Sequence, residues 1–165
     1  MYSKKEAEEL ETNRARSSAH VLINITLVAI IFTLFGLVAT LNPDLMANLF
    51  LAYQLVLSIP FLMASTLARA KISYATRAGK WLSFGSITYI IGYSFLINSI
   101  GIILAKLVAL DVSLVFFGVN ILLAIAYSCV AVSYNRRRLK ARIYKDSLFA
   151  GIVILLGVLP TLKTI

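Results

Sequence analysis

Four stretches of this chain carry no charged residue and exceed the ~20 residues a helix needs to cross a bilayer. They are Ser17 to Pro43, Leu45 to Ala68, Trp81 to Ala105 and Val112 to Asn135. A fifth apolar run, Ser147 to Leu162, is shorter. Runs of this kind leave few folds open. Hydrophobic residues make up 60% of the chain and charged residues 14%, against about 45–50% and about 25% in soluble domains. A soluble core of 165 residues cannot enclose that much apolar surface, because a small domain leaves much of its area facing water. The expected fold class is therefore all-α: a polytopic integral membrane helix bundle of five transmembrane helices joined by short loops. The first run is too long for the 7–15-residue core of a signal peptide. It ends in the turn-like Leu41-Asn42-Pro43-Asp44 and reads as a retained helix.

The net charge of +9 invites a nucleic-acid reading, but its distribution argues for topology. Arg69, Lys71, Arg77 and Lys80 lie between the second and third apolar runs. Arg136, Arg137, Arg138, Lys140, Arg142 and Lys145 lie between the fourth and fifth, with Asp146. If each of the first four helices spans, both segments share a side with the polar stretch Met1–Ser18. The opposite side then holds only Lys106 and, if the fifth run spans, Lys163. The positive-inside rule places the N-terminus in the cytoplasm and, with five spans, the C-terminus outside. Arg69, Lys71, Arg136, Arg137, Arg138, Lys140 and Arg142 are expected to meet anionic lipid headgroups on the cytoplasmic side. The expected partners are the lipid bilayer and other copies or membrane subunits, with no nucleic acid.

Two parts are expected: a polar cytosolic segment over residues 1–18 and a single transmembrane domain over residues 19–165. The helices are predicted at about 19–41, 45–68, 81–107, 112–134 and 147–162. Asn42-Pro43-Asp44 forms a turn because proline cannot continue the first helix, and Asp44 can cap the second. Pro60 falls inside the second helix and predicts a kink. The fifth run would be about 24 Å long as a helix, short of a ~30 Å core, and contains Gly151, Gly157 and Pro160.

Small residues line two helix faces. Thr26, Ala29, Thr33, Gly36 and Thr40 recur at spacings of three and four, as do Gly85, Thr88, Gly92 and, two turns further, Ser99. Such seams let backbones approach closely in lipid and are candidate helix-packing surfaces. Neutral polar residues form the second pattern. Gln54, Tyr89, Tyr93, Asn98, Asn120 and Tyr127 lie within the apolar runs, where an amide without a partner is costly. They are the candidate polar cluster or path.

Catalytic constellations are absent from the pattern. There is no HExxH, no phosphate-cradling glycine loop and no ligand cluster of His, Cys and carboxylates. The acids are confined to the tail and turns, so no carboxylate pair is placed for acid–base work. His20 is the lone histidine and Cys129 the lone cysteine. No enzyme activity, cofactor or metal is expected. The function expected is a channel, pore or transport path for ions or small uncharged solutes, formed by an oligomer and lined by these neutral polar residues. The alternative is a non-catalytic scaffold or accessory subunit of a larger membrane complex.

Overall fold

The structure, a computed structural model, describes residues 4–74, 79–134, 136 and 139–163. It is helical throughout, with no strand among the described residues. Helix α1 (Lys4–Leu41) is followed by a single turn α2 (Pro43–Met46), then α3 (Leu49–Tyr74), α4 (Gly79–Leu107) and α5 (Leu110–Tyr134). The last element is α6 (Leu139–Val153), which passes through a π-helical turn (Ile154–Val158) into α7 (Leu159–Lys163). Five helical segments are long and apolar enough to cross a membrane: Arg14–Leu41, Leu49–Ile72, Gly79–Leu107, Leu110–Tyr134 and Leu139–Lys163.

Several expected boundaries move, each for a local reason. The polar N-terminal segment does not stand apart from the first helix. It is rich in Glu, Lys, Arg and Ala, strong helix formers, and α1 runs unbroken through Ser18 and Ala19. The second long helix starts at Leu49, later than expected. Its start is held by Asn48, whose Oδ1 accepts from the backbone N–H of Phe50 at 3.1 Å and of Leu51 at 3.3 Å. Asp44 instead sits in the first turn of α2. Helix α3 continues through Pro60. The fifth helix begins at Leu139, inside the basic stretch, and so gains the length that the apolar run lacks. Arg137 and Arg138 lie outside the described residues.

Helix α4 is the centre of the assembly. Its most extensive contact is with α3, and it also packs on α5, α6, the π turn and α7; α1 packs chiefly on α3. The packing repeat is a heptad. On α3, Leu51, Leu55, Ser58, Leu62, Ser65, Arg69 and Ile72 are all buried, at alternating spacings of four and three. On α1 the buried set is Ser17, Asn24, Ile31 and Val38, seven apart. This is the seam spacing of left-handed helix pairs. Two apolar clusters result. One joins Ile31, Val38, Leu55 and Leu62 to Leu96 and Ile102 of α4. The other joins Ile97 of α4 to Phe117, Phe149 and Val153. Helix α4 thus contributes one face to each.

The hairpin turns at Asn42–Asn48 and Val108–Ala109 lie at one end, called here the turn end. The opposite, basic end carries Arg69, Lys71, Lys80, Arg136 and Lys140.

Candidate functional site

The site is built around a break in the fifth helix. Pro160 has no N–H, so the carbonyl of Leu156, four residues earlier, loses its usual helical donor. The backbone there widens: the N–H of Leu159 reaches Ile154 O, five residues back. Single π turns of this kind recur at functional positions. The orphaned carbonyl is satisfied from another helix, as Gln54 Nε2 on α3 donates to Leu156 O at 2.8 Å. Asn98 Nδ2 on α4 donates to Ile152 O, on the other side of the break, at a long 3.5 Å. Thr161 Oγ1 donates to Gly157 O at 2.8 Å.

Each amide has two ends, and here only one is used. Gln54 Oε1 and Asn98 Oδ1 are both buried with no hydrogen-bond partner. Their residues are 4% and 0% exposed. Both amides meet the same short segment, since Gln54 bonds Leu156 while Asn98 Oδ1 crowds the position where Gly157 would carry a Cβ. The Phe117 ring closes the layer. It fills the space that a side chain on Gly101 would need and lies 2.9 Å from a Cβ built on Gly157. Ser113 Oγ donates to Gly101 O at 2.7 Å, fixing α5 against α4 at this level.

The remaining candidates are dispersed. Tyr89 and Tyr93 lie nearer the basic end, stacked on each other at 5.7 Å between ring centroids. They continue an aromatic ladder from His20 on α1, whose ring is 6.1 Å from Tyr89, to Phe149 on α6, 6.1 Å from Tyr93. Along α4, Tyr93 and Asn98 are five residues apart, or about 7.5 Å of rise. Asn120 is not directed at the amide pair: its Nδ2 donates to Phe116 O of its own helix at 2.8 Å. Tyr127 is on the outside, 64% exposed, under the Arg142 guanidinium at 5.0 Å. The six-residue polar cluster therefore separates into an amide pair, a tyrosine pair and two residues that join neither.

The two small-residue seams also part. Gly85, Thr88, Gly92 and Ser99 are buried. Gly85 and Gly92 meet α3 at Ala68 and Leu62, and Ser65 Oγ donates to Gly85 O at 2.8 Å. Thr26, Ala29, Thr33, Gly36 and Thr40 are all exposed, facing away from the bundle. Thr26 and Thr33 donate to Leu22 O and Ala29 O, each at 3.0 Å, and Thr40 donates to Gly36 O.

Arg69 departs from its expected headgroup contact. It is 8% exposed, and its Nη2 donates to Ser86 Oγ at 3.1 Å between α3 and α4. The reason is register: Arg69 occupies the buried heptad position after Ser65. Lys71, Arg136 and Lys140 are exposed, while Arg142 is half-buried against Tyr127.

Asn24 is a further neutral amide within an apolar run, outside the expected polar cluster. It is 0% exposed and neither amide atom has a partner. Its heptad spacing from Ser17 and Ile31 was the available signal. The π turn was missed, although Gly157 and Pro160 mark it. Among the described residues, no three His, Cys, Asp or Glu side chains come together in a way that could hold a metal. No family model, curated protein or solved structure matches the chain.

Proposed function

We propose that this is an integral membrane protein forming a gated transport path for a small solute, recognised by the free amide oxygens of Gln54 and Asn98 beside the π turn. The membrane placement rests on the outer surface. Leu22, Phe32, Leu122 and Leu123 are each at least 60% exposed, and continuous apolar faces of this kind suit hydrocarbon and not water. The basic end then faces the cytoplasm under the positive-inside rule.

The transport reading is carried by one observation: two buried amide oxygens without partners beside a helix break. Leaving a buried acceptor unsatisfied costs about 1–3 kcal/mol. Donating one N–H to the broken backbone explains half of each amide and leaves the other half unused. At membrane depth irregular backbone is tolerated where it is buried in protein or lines a cavity, and in many transporters such breaks form the binding site. Neutral oxygens suit a monovalent cation or a small molecule with N–H or O–H donors. Phe117 packs against Gly101 and Gly157 beside this layer, which supports a gated path over an open pore.

The test is solute flux into proteoliposomes, with sodium, potassium, urea and glycerol as the panel. Asn98→Leu and Gln54→Met should each lower flux of the transported species at least tenfold. Asn120→Leu, which changes an amide engaged within its own helix, should leave flux unchanged. Absence of flux for the whole panel, or full flux in the Asn98 and Gln54 variants, overturns the reading.

A second reading is favoured by the outward seam on α1: a scaffold or accessory subunit, or a homo-oligomer, docked through Thr26–Thr40. The threonine hydroxyls are engaged within their own helix, so the face offers methyl groups and a glycine to a neighbouring helix. Native mass measurement of the assembly decides it, since Gly36→Leu should dissociate a complex held by this face.

A further inference from the structure

We propose that the groove between α3 and α4 at the basic end is a specific site for one anionic phospholipid, its phosphate at Lys71 and Lys80 and its acyl chains on either side of Leu67. The groove has a volume of about 500 Å³ and is lined by Ala64, Leu67, Ala68 and Lys71 of α3 with Trp81 and Phe84 of α4. A second groove of about 420 Å³ lies between α1 and α3, lined by residues that include Val28, Phe32, Ile59 and Met63. Leu67 lines both. The two grooves therefore flank a single side chain, which matches a molecule with two apolar tails. The second groove is almost wholly apolar in its lining residues and suits a tail alone.

Charge selects the headgroup. Lys71 belongs to the groove wall and is exposed. Lys80 is exposed in the first turn of α4, beside Trp81. The positive end of the α4 dipole opens on the same rim. The Arg69 guanidinium, next to Ala68 in sequence and directed between the helices, adds a fixed positive charge within a medium that screens poorly. None of the lining residues is acidic. The Trp81 indole, 43% exposed, adds an N–H donor at the depth where tryptophans meet headgroups. A zwitterionic lipid would meet the same apolar walls, but its positive choline would be carried toward these bases.

The inference uses the membrane placement and is independent of transport. Trp81 is the single tryptophan, so its fluorescence reports this groove alone. The full chain is reconstituted in phosphatidylcholine vesicles containing a graded fraction of brominated phosphatidylglycerol, or of brominated phosphatidylcholine in a matched series. Half-maximal quenching should need about a tenfold lower mole fraction of the brominated phosphatidylglycerol. Lys71→Gln should reduce that preference about fivefold, the effect of one base near an anionic surface. Lys71→Arg should retain it, and Lys106→Gln, at the turn end, should not alter it. Equal quenching by the two lipids overturns the site. So does a preference that survives Lys71→Gln combined with Lys80→Gln, or one lost equally in Lys71→Arg.

Discussion

The seams on α1 and α4 are nearly the same pattern in sequence and have opposite fates. On α4, Gly92 lies so close to α3 that a Cβ would sit 2.9 Å from Leu62 Cγ and 3.1 Å from the Leu62 backbone nitrogen. On α1, nothing lies within 4 Å of a Cβ placed on Gly36. Small residues at helical spacing define a face that can be approached closely. They do not state whether the approaching helix belongs to the same chain. In α4 the face is occupied by α3, and backbone and hydroxyl bond across it, as Ser65 does to Gly85 O. In α1 the hydroxyls turn back to their own helix and the face is left smooth and apolar.

The largest expected effect breaks the occupied seam. Gly92→Leu should destabilise the fold by about 3 kcal/mol or more, because overpacking against backbone finds no flexible side chain to yield. Unfolding of the detergent-solubilised protein measures it; an unchanged midpoint would mean that α3 and α4 are not in this contact. Gly101→Ala should follow at about 1–3 kcal/mol, since the Phe117 ring occupies the space of the new methyl and must shift. Gln54→Met should cost about 1–3 kcal/mol in the same measurement, because it removes the buried side-chain donor to Leu156 O beside Pro160. Equal stability of that variant would show that the π turn does not depend on α3.

The smallest effects test the open seam. Gly36→Leu should change the unfolding of the isolated chain by less than about 0.5 kcal/mol, as expected of a surface site, while altering any assembly that uses this face. A large loss of intrinsic stability would place another helix of the same chain on the seam. Gly118→Ala and Gly151→Ala also add a Cβ where nothing lies within 4 Å. Each should be neutral or stabilising by about 0.5–1 kcal/mol through reduced backbone entropy in the unfolded chain.

Much of the helical layout was legible in the residues. Charge-free runs located the helices, and Asn-Pro-Asp located the first turn. The start of the fifth helix was not legible from the apolar run, because its first turns are made of the basic residues after Leu139, which are good helix formers but poor hydrophobic markers. The cap at Asn48 escaped because Asp44 offered an equally suitable residue earlier. The amide site was half legible. Gln54 and Asn98 stood out as polar groups in apolar runs, yet so did Asn120 and Tyr127, and only contacts between helices distinguish them.

The sequence by itself determined an all-helical chain with four segments long and apolar enough to span and a shorter fifth, and a basic end opposite the short turns. Tertiary structure decided which face of each helix turns inward, which seam is occupied and which amide oxygens are left over. The physical reason lies in the proposed solvent. In water, an apolar stripe marks the buried face of a helix. In lipid, inner and outer faces are both apolar, so that stripe disappears and only small residues, polar atoms and their neighbours specify packing. Whether a buried oxygen has a partner depends on another helix, such as the one whose backbone Pro160 opens to Gln54.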